Sequence, residues 1–138
     1  MIISSVEEMV ELGRSIGTRL SAGDVLLLKG ELGAGKTALT RGIGQALGIN
    51  DVTSPTFVIA KIHEAAIPLV HVDAYRLIGH ELAAFDDLDL ESRIPQSITV
   101  IEWGEAFIER IAPDHITISI SHGQSDDERI VEISGMTL

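Results

Sequence analysis

The chain has 138 residues, 45% of them hydrophobic and none of them cysteine; this composition excludes a disordered chain, a disulfide framework and a thiolate metal site. Ten Lys and Arg stand against 21 Asp and Glu, a formal net charge of −11. Such a surface repels phosphate backbones, so RNA is not expected to be held by this chain without a basic partner; the plain alternative is that the acidity only keeps the protein in solution.

The length suits a single domain over residues 1–138 with a core of its own. Ser5-Val6-Glu7-Glu8 reads as a capping box, and Val6, Met9, Ile16 and Leu20 follow at helical spacing, so the first helix is expected from about Val6 to Leu20. Ala22-Gly23-Asp24 is a turn. Val25-Leu26-Leu27-Leu28 is wholly apolar, as in a strand buried on both faces. A glycine-rich loop follows. Leu39, Ile43, Ala46 and Leu47 then recur on one helical face, with Gly48 as the C-terminal cap. Phe57 to His63 and Pro68 to Asp73 read as two strands of an antiparallel hairpin turning at Glu64-Ala65-Ala66. The acid-rich stretch from Glu81 to Glu91 is expected as short helices or a loop. Ile98 to Ile101 is another buried-type strand, Gly104 to Ile111 a helix, and His115 to Ser121 and Arg129 to Ser134 a strand pair. Parallel and antiparallel signals are mixed, which predicts an α/β fold: a P-loop NTPase-like mixed β-sheet flanked by helices. Met1-Ile2-Ile3-Ser4-Ser5 lacks the basic-then-apolar order of a signal peptide, and no apolar run reaches membrane-spanning length. With the absence of cysteine, this points to a cytoplasmic protein without membrane contact.

The most informative segment is Gly30-Glu31-Leu32-Gly33-Ala34-Gly35-Lys36-Thr37, followed by Ala38. Glycines at 30, 33 and 35 allow backbone conformations that let successive N–H groups wrap a phosphate. Lys36 can reach the β- and γ-phosphates, the Thr37 hydroxyl can ligate Mg²⁺, and the helix adds its positive N-terminal end. Chance matches to this pattern in a chain of this size run on the order of 0.5%, so an accidental glycine-rich turn is a poor explanation.

A nucleotide site also needs a second metal contact and a group that orients the nucleophile. Asp73 ends one apolar strand and Glu102 another. If both strands run parallel to residues 25–28, both acids emerge on the phosphate side, where ligands bind in α/β sheets. The plain alternative is that they cap turns. His71 shares a strand face with Asp73. Thr53-Ser54-Pro55-Thr56 lies where switch loops lie in GTPases, or is an ordinary polar loop. Trp103 is a core residue or a base-stacking surface. Arg76 is a phosphate-side arginine or an exposed ion-pair partner. The five histidines lack ligand spacing, which argues against zinc.

The phosphate loop, Ser54-Pro55-Thr56-Phe57, His71-Val72-Asp73-Ala74-Tyr75-Arg76 and Ile101-Glu102-Trp103 occur in this order and together resemble the TsaE (YjeE) family, over about residues 4–111. The resemblance implies an ATPase of bacterial tRNA threonylcarbamoyladenosine biosynthesis, binding ATP or ADP with Mg²⁺ and hydrolysing ATP weakly alone. It implies action with the TsaB–TsaD heterodimer, in which TsaD modifies adenosine 37 of tRNAs reading ANN codons, so tRNA is met only through the complex. Carried over by position, Glu31, Leu32, Gly33, Ala34, Gly35, Lys36, Thr37 and Ala38 hold the nucleotide together with Thr56 and Trp103. Thr37 and Glu102 hold the metal, and Lys36, Asp73 and Glu102 are the catalytic set, with Asp73 orienting water. Met9 stands where members often have threonine, and Gly104 where many have proline or alanine. A small-molecule kinase on the same loop would need a lid and paired arginines, which the sequence does not offer. A nucleotide-gated binding module with negligible turnover is the non-enzymatic alternative.

Overall fold

The computed structural model describes residues 1–53, 60–75, 89–105 and 108–138. In chain order the described elements are β1 (Ile2–Ile3), α1 (Val6–Gly17), β2 (Val25–Lys29), α2 (Lys36–Ala46), β3 (Ala60–His63) and β4 (Leu69–Asp73). After these come α3 (Leu90–Arg93), β5 (Ile98–Glu102), α4 (Ile108–Ile111), β6 (Ile116–His122) and β7 (Arg129–Ser134). They form one seven-stranded sheet in the order β1-β7-β6-β2-β5-β4-β3. The central strands β6, β2, β5 and β4 run parallel, while β7, β1 and β3 join antiparallel at the flanks. The mixed sheet is therefore present, and β3 with β4 makes the expected hairpin.

Alternation along the strands sorts the core into two layers, because successive side chains point to opposite faces. Leu26, Leu28, Leu69, Ile98, Val100 and Ile118 pack with Met9, Leu12 and Ile16 of α1 and Leu39 and Ile43 of α2. Their alternates Val25, Leu27, Val70, Val72 and Ile101 pack with Leu90 of α3 and Ile108 of α4. Helices α1 and α2 meet almost backbone to backbone. A Cβ added at Gly13 would lie 2.1 Å from the Leu39 carbonyl oxygen, and one at Gly42 would lie 2.0 Å from that of Val10. This contact fixes where α2, and hence the loop leading into it, sits on the sheet.

Element ends differ from the sequence expectation in ways packing explains. Helix α1 stops at Gly17, short of Leu20. Leu20 is still buried, because tight turns from Arg19 N–H to the Ile16 carbonyl and from Leu20 N–H to the Gly17 carbonyl carry it back to the core. The Ser5 hydroxyl accepts from Glu8 N–H as a capping box requires, but the Glu8 carboxylate returns to Ser4 N–H. The α4 stretch begins later than Gly104: the chain first turns at Trp103, although Ile108 N–H reaches the Gly104 carbonyl in helical fashion. Ala106 and Phe107, and most of the acid-rich stretch from Glu81, lie outside the described residues. Among the described residues no helix is long and apolar enough to cross a membrane.

His63 on β3 is buried, and its Nε2 has no hydrogen-bond partner among the described residues. Burial, reinforced by Lys61 and His71, pushes its pKa below the ordinary 6.5. Below about 6.5 the unfolded chain therefore binds a proton that the folded one refuses, and stability falls as the pH drops through this window. The loss of Tm between about pH 7.5 and about pH 5.5 is expected to be larger in the parent than in His63→Gln. Equal losses would remove His63 from the account.

Candidate functional site

Residues 30–35 carry the chain from the C-terminal end of β2 into α2. Gly33 and Gly35 hold φ of +80° and +116°, values glycine adopts without a side-chain clash. Gly35 is the N-cap of α2; it offers no side-chain cap, and the first turn of α2 has no acidic residue. Neither a capping side chain nor an acidic residue thus neutralises the positive end of the helix, which suits it to face an external anion.

Strand register brings the acids to this loop. Asp73 lies opposite Glu102, and Glu102 opposite Leu28, so β4, β5 and β2 end level with one another. The same alternation puts His71, Asp73, Val100 and Glu102 on the face that α1 and α2 cover. Lys36, the first residue of α2, is buried there. Its Nζ donates to the Gly30 carbonyl at 2.7 Å and lies 3.7 Å from Glu102 Oε1. The other carboxylate oxygen, Oε2, is 2.6 Å from His71 Nε2. Lys36, Glu102 and His71 are 5%, 6% and 0% exposed. A lysine and a glutamate this deeply buried would each be costly alone, so their pairing decides whether either can be there.

Trp103 adds a second contact to the same ammonium, its ring centroid 4.3 Å from Lys36 Nζ. It reaches this place through a left-handed turn at φ +61°, a conformation that costs a bulky residue about 1–3 kcal/mol. Tyr75 meets the indole edge-on, with centroids 5.2 Å apart. Trp103 is therefore only partly a core residue, and its ring borders the Lys36 ammonium.

Asp73 is half-buried at the same sheet end. Its Oδ1 accepts from Tyr75 N–H at 3.0 Å, so it does cap a turn, while Ala74 N–H donates to the Glu102 carbonyl at 2.9 Å and holds the two strand ends together. Thr37 is half-buried one residue into α2, Ala38 is buried beneath the loop, and Glu31, Leu32 and Gly33 are exposed on it. Beside the loop, over the ends of β2 and β6, lies a cleft of about 470 Å³ bordered by Lys29, Glu31, Lys36, Trp103, Ser121 and His122, a size suited to a small molecule. Thr56, the Ser54-to-Phe57 segment and Arg76 lie outside the described residues. Thr53 hydrogen-bonds Lys61 Nζ through its hydroxyl.

The donor set fits magnesium in a particular way. Among the described residues no group of three or more His, Cys, Asp or Glu converges as a metal cage. Mg²⁺ does not need one, since it is commonly held by one or two protein oxygens together with substrate phosphates and water. A threonine hydroxyl and one carboxylate beside a glycine-rich loop at a helix N-terminus are such a set. Sequence reasoning placed His71 on the face of Asp73 but did not connect it to Glu102, because that link runs diagonally between neighbouring parallel strands. Arg129, which hydrogen-bonds the glycine-rich loop from β7, was missed altogether.

A family model described as "Threonylcarbamoyl adenosine biosynthesis protein TsaE" matches residues 3–131. A Streptomyces coelicolor protein named tRNA threonylcarbamoyladenosine biosynthesis protein TsaE is 47% identical over 135 residues, spanning 93% of this chain and 90% of that one. Proteins of the same name from Mycobacterium tuberculosis and Bacillus subtilis are 41% and 34% identical, over 91% and 94% of this chain and 80% and 81% of theirs. The crystal structure of Bacillus subtilis YdiB superposes with a TM-score of 0.77 at 29% identity, covering 95% of this chain and 80% of that chain.

Proposed function

The chain belongs to the TsaE family of threonylcarbamoyl adenosine biosynthesis proteins, and from that premise we propose that it is the Mg²⁺-dependent ATPase of tRNA threonylcarbamoyladenosine modification. In this reading it works with the TsaB–TsaD complex on adenosine 37 of tRNAs reading ANN codons, and touches tRNA only through that complex. The observation that carries the ATPase reading is the buried Lys36–Glu102–His71 line at the mouth of the glycine-rich loop. A purely structural turn has no need of an ion pair at such depth.

The residues take the following parts. The amides of the glycine-rich loop and the N-terminus of α2 bind the phosphates. Lys36 exchanges its contacts with Gly30, Glu102 and Trp103 for the β- and γ-phosphates, so that binding releases a cation already held at the right place. Thr37 and Glu102 would hold Mg²⁺, which supplies neutralisation of charge on the phosphate oxygens. His71 fixes the Glu102 carboxylate through Oε2 and leaves Oε1 directed to the site. Asp73 orients the attacking water from the neighbouring strand end, and Trp103 borders the nucleotide.

The test is ATP turnover by the protein alone and then with purified TsaB and TsaD. A slow basal rate that rises with the partners is expected. Tight ATP binding with no turnover in either mixture would instead make this a nucleotide-gated binding module.

A further inference from the structure

The guanidinium of Arg129, at the start of β7, spends its hydrogen bonds on backbone carbonyls in two separate parts of the chain. Nη1 donates to Asp126 at 2.6 Å and to Glu128 at 3.0 Å, both in the β6–β7 turn. Nε donates to Ala34 at 3.1 Å and Nη2 to Gly33 at 3.5 Å, both in the glycine-rich loop 95 and 96 positions away. Among the described residues none of its hydrogen bonds goes to a carboxylate. A planar fork that spans two loops in this way fixes their relative position more firmly than a point charge can.

The effect on the loop follows from peptide geometry. Across a trans peptide the C=O of one residue and the N–H of the next point in opposite directions. Holding the Ala34 carbonyl toward β7 turns the Gly35 N–H away from it, and holding the Gly33 carbonyl does the same for the Ala34 N–H, which meets the Glu31 carbonyl at 3.1 Å. Gly33 and Gly35 have no Cβ and sample many conformations on their own; the loop needs an outside restraint if its amides are to stand ready before an anion arrives.

We propose that Arg129 is a positioning residue that preorganises the phosphate loop from behind, by pinning the carbonyls of Gly33 and Ala34 to the β6–β7 turn. The proposal rests on the nucleotide-binding reading above for its functional effect, and on the loop's own order for its structural one.

The experiment compares the parent with Arg129→Gln and Arg129→Lys by calorimetric titration of Mg·ADP, and by amide hydrogen exchange of residues 30–37 without nucleotide. Arg129→Gln is expected to bind about tenfold more weakly and to exchange faster in the loop, as loss of a charge-assisted tether implies. Arg129→Lys restores part of both, since one ammonium cannot reach both loops through four bonds. Unchanged affinity and loop exchange in Arg129→Gln overturn the assignment. So does a lower Tm with faster exchange confined to residues 123–134, which would make Arg129 a staple of its own hairpin. Should Arg129→Gln not fold, loop exchange at the parent rate in Arg129→Lys overturns it. A parent that binds no nucleotide sinks the ATPase reading, while the nucleotide-free exchange comparison still decides the role of Arg129.

Discussion

Lys36→Ala is expected to abolish nucleotide-dependent activity and, separately, to lower stability by about 3 kcal/mol. The first effect comes from the loss of the ammonium proposed to meet the phosphates. The second arises because Glu102 is 6% exposed and would lose its cation, keeping among the described residues only His71 as a side-chain partner. The two effects separate in a double variant. Glu102→Gln in the Lys36→Ala background removes the orphaned charge but restores no phosphate contact. Lys36→Ala/Glu102→Gln should therefore unfold at higher urea than Lys36→Ala while binding nucleotide no better. Urea midpoints of the four proteins of this cycle measure the coupling directly. A Lys36→Ala protein as stable as the parent would mean that the 3.7 Å pair contributes nothing. One that still binds Mg·ATP normally would sink the assignment of Lys36 to phosphate.

The parts of this site visible in the sequence are those that local chemistry dictates. A glycine-rich loop between an apolar run and a helical period has few other uses, and an acid at the end of a buried strand is conspicuous because it breaks the run. Parallel pairing then had to be assumed, and the register of β4 on β5 on β2 supplies it. What stayed hidden depends on distant partners. His71 sits inside the apolar run Leu69–Val72, and nothing local says that its ring reaches Glu102, 31 positions on. Arg129 bonds to carbonyls, which every residue has, so no side-chain pattern could reveal its target. Strand β1 is two residues long, too short to show a period, and exists because the edge of β7 pairs with it. Helix α1 looked three residues too long because Leu20 keeps the apolar spacing after the helix has ended. In each case tertiary contact, rather than propensity, decided the outcome.

Glu102→Gln and Asp73→Asn should slow ATP turnover by different routes, and that difference tests the division of labour between the acids. Glutamine keeps the shape of Glu102 and can still meet His71, but it removes the charge that, in the proposed reading, would hold Mg²⁺ beside Lys36. Turnover should fall on the order of 100-fold, and saturation should need more Mg²⁺. Metal-free nucleotide should bind no worse, and even more tightly, because a carboxylate near the phosphates is gone and Lys36 is released from its ion pair. Asp73 is half-buried and its Oδ1 meets a backbone N–H that asparagine can also satisfy. Asp73→Asn should thus leave stability within about 0.5 kcal/mol and the Mg²⁺ requirement unchanged, while slowing turnover through loss of the charge proposed to orient water. Stopped-flow binding with and without Mg²⁺, beside steady-state turnover, reads all of these. A Mg²⁺ shift in Asp73→Asn but not in Glu102→Gln would exchange the two roles. Parent-level turnover in both variants would leave the acids with structural duties only: Asp73 closing the turn after β4, and Glu102 neutralising Lys36 within the core.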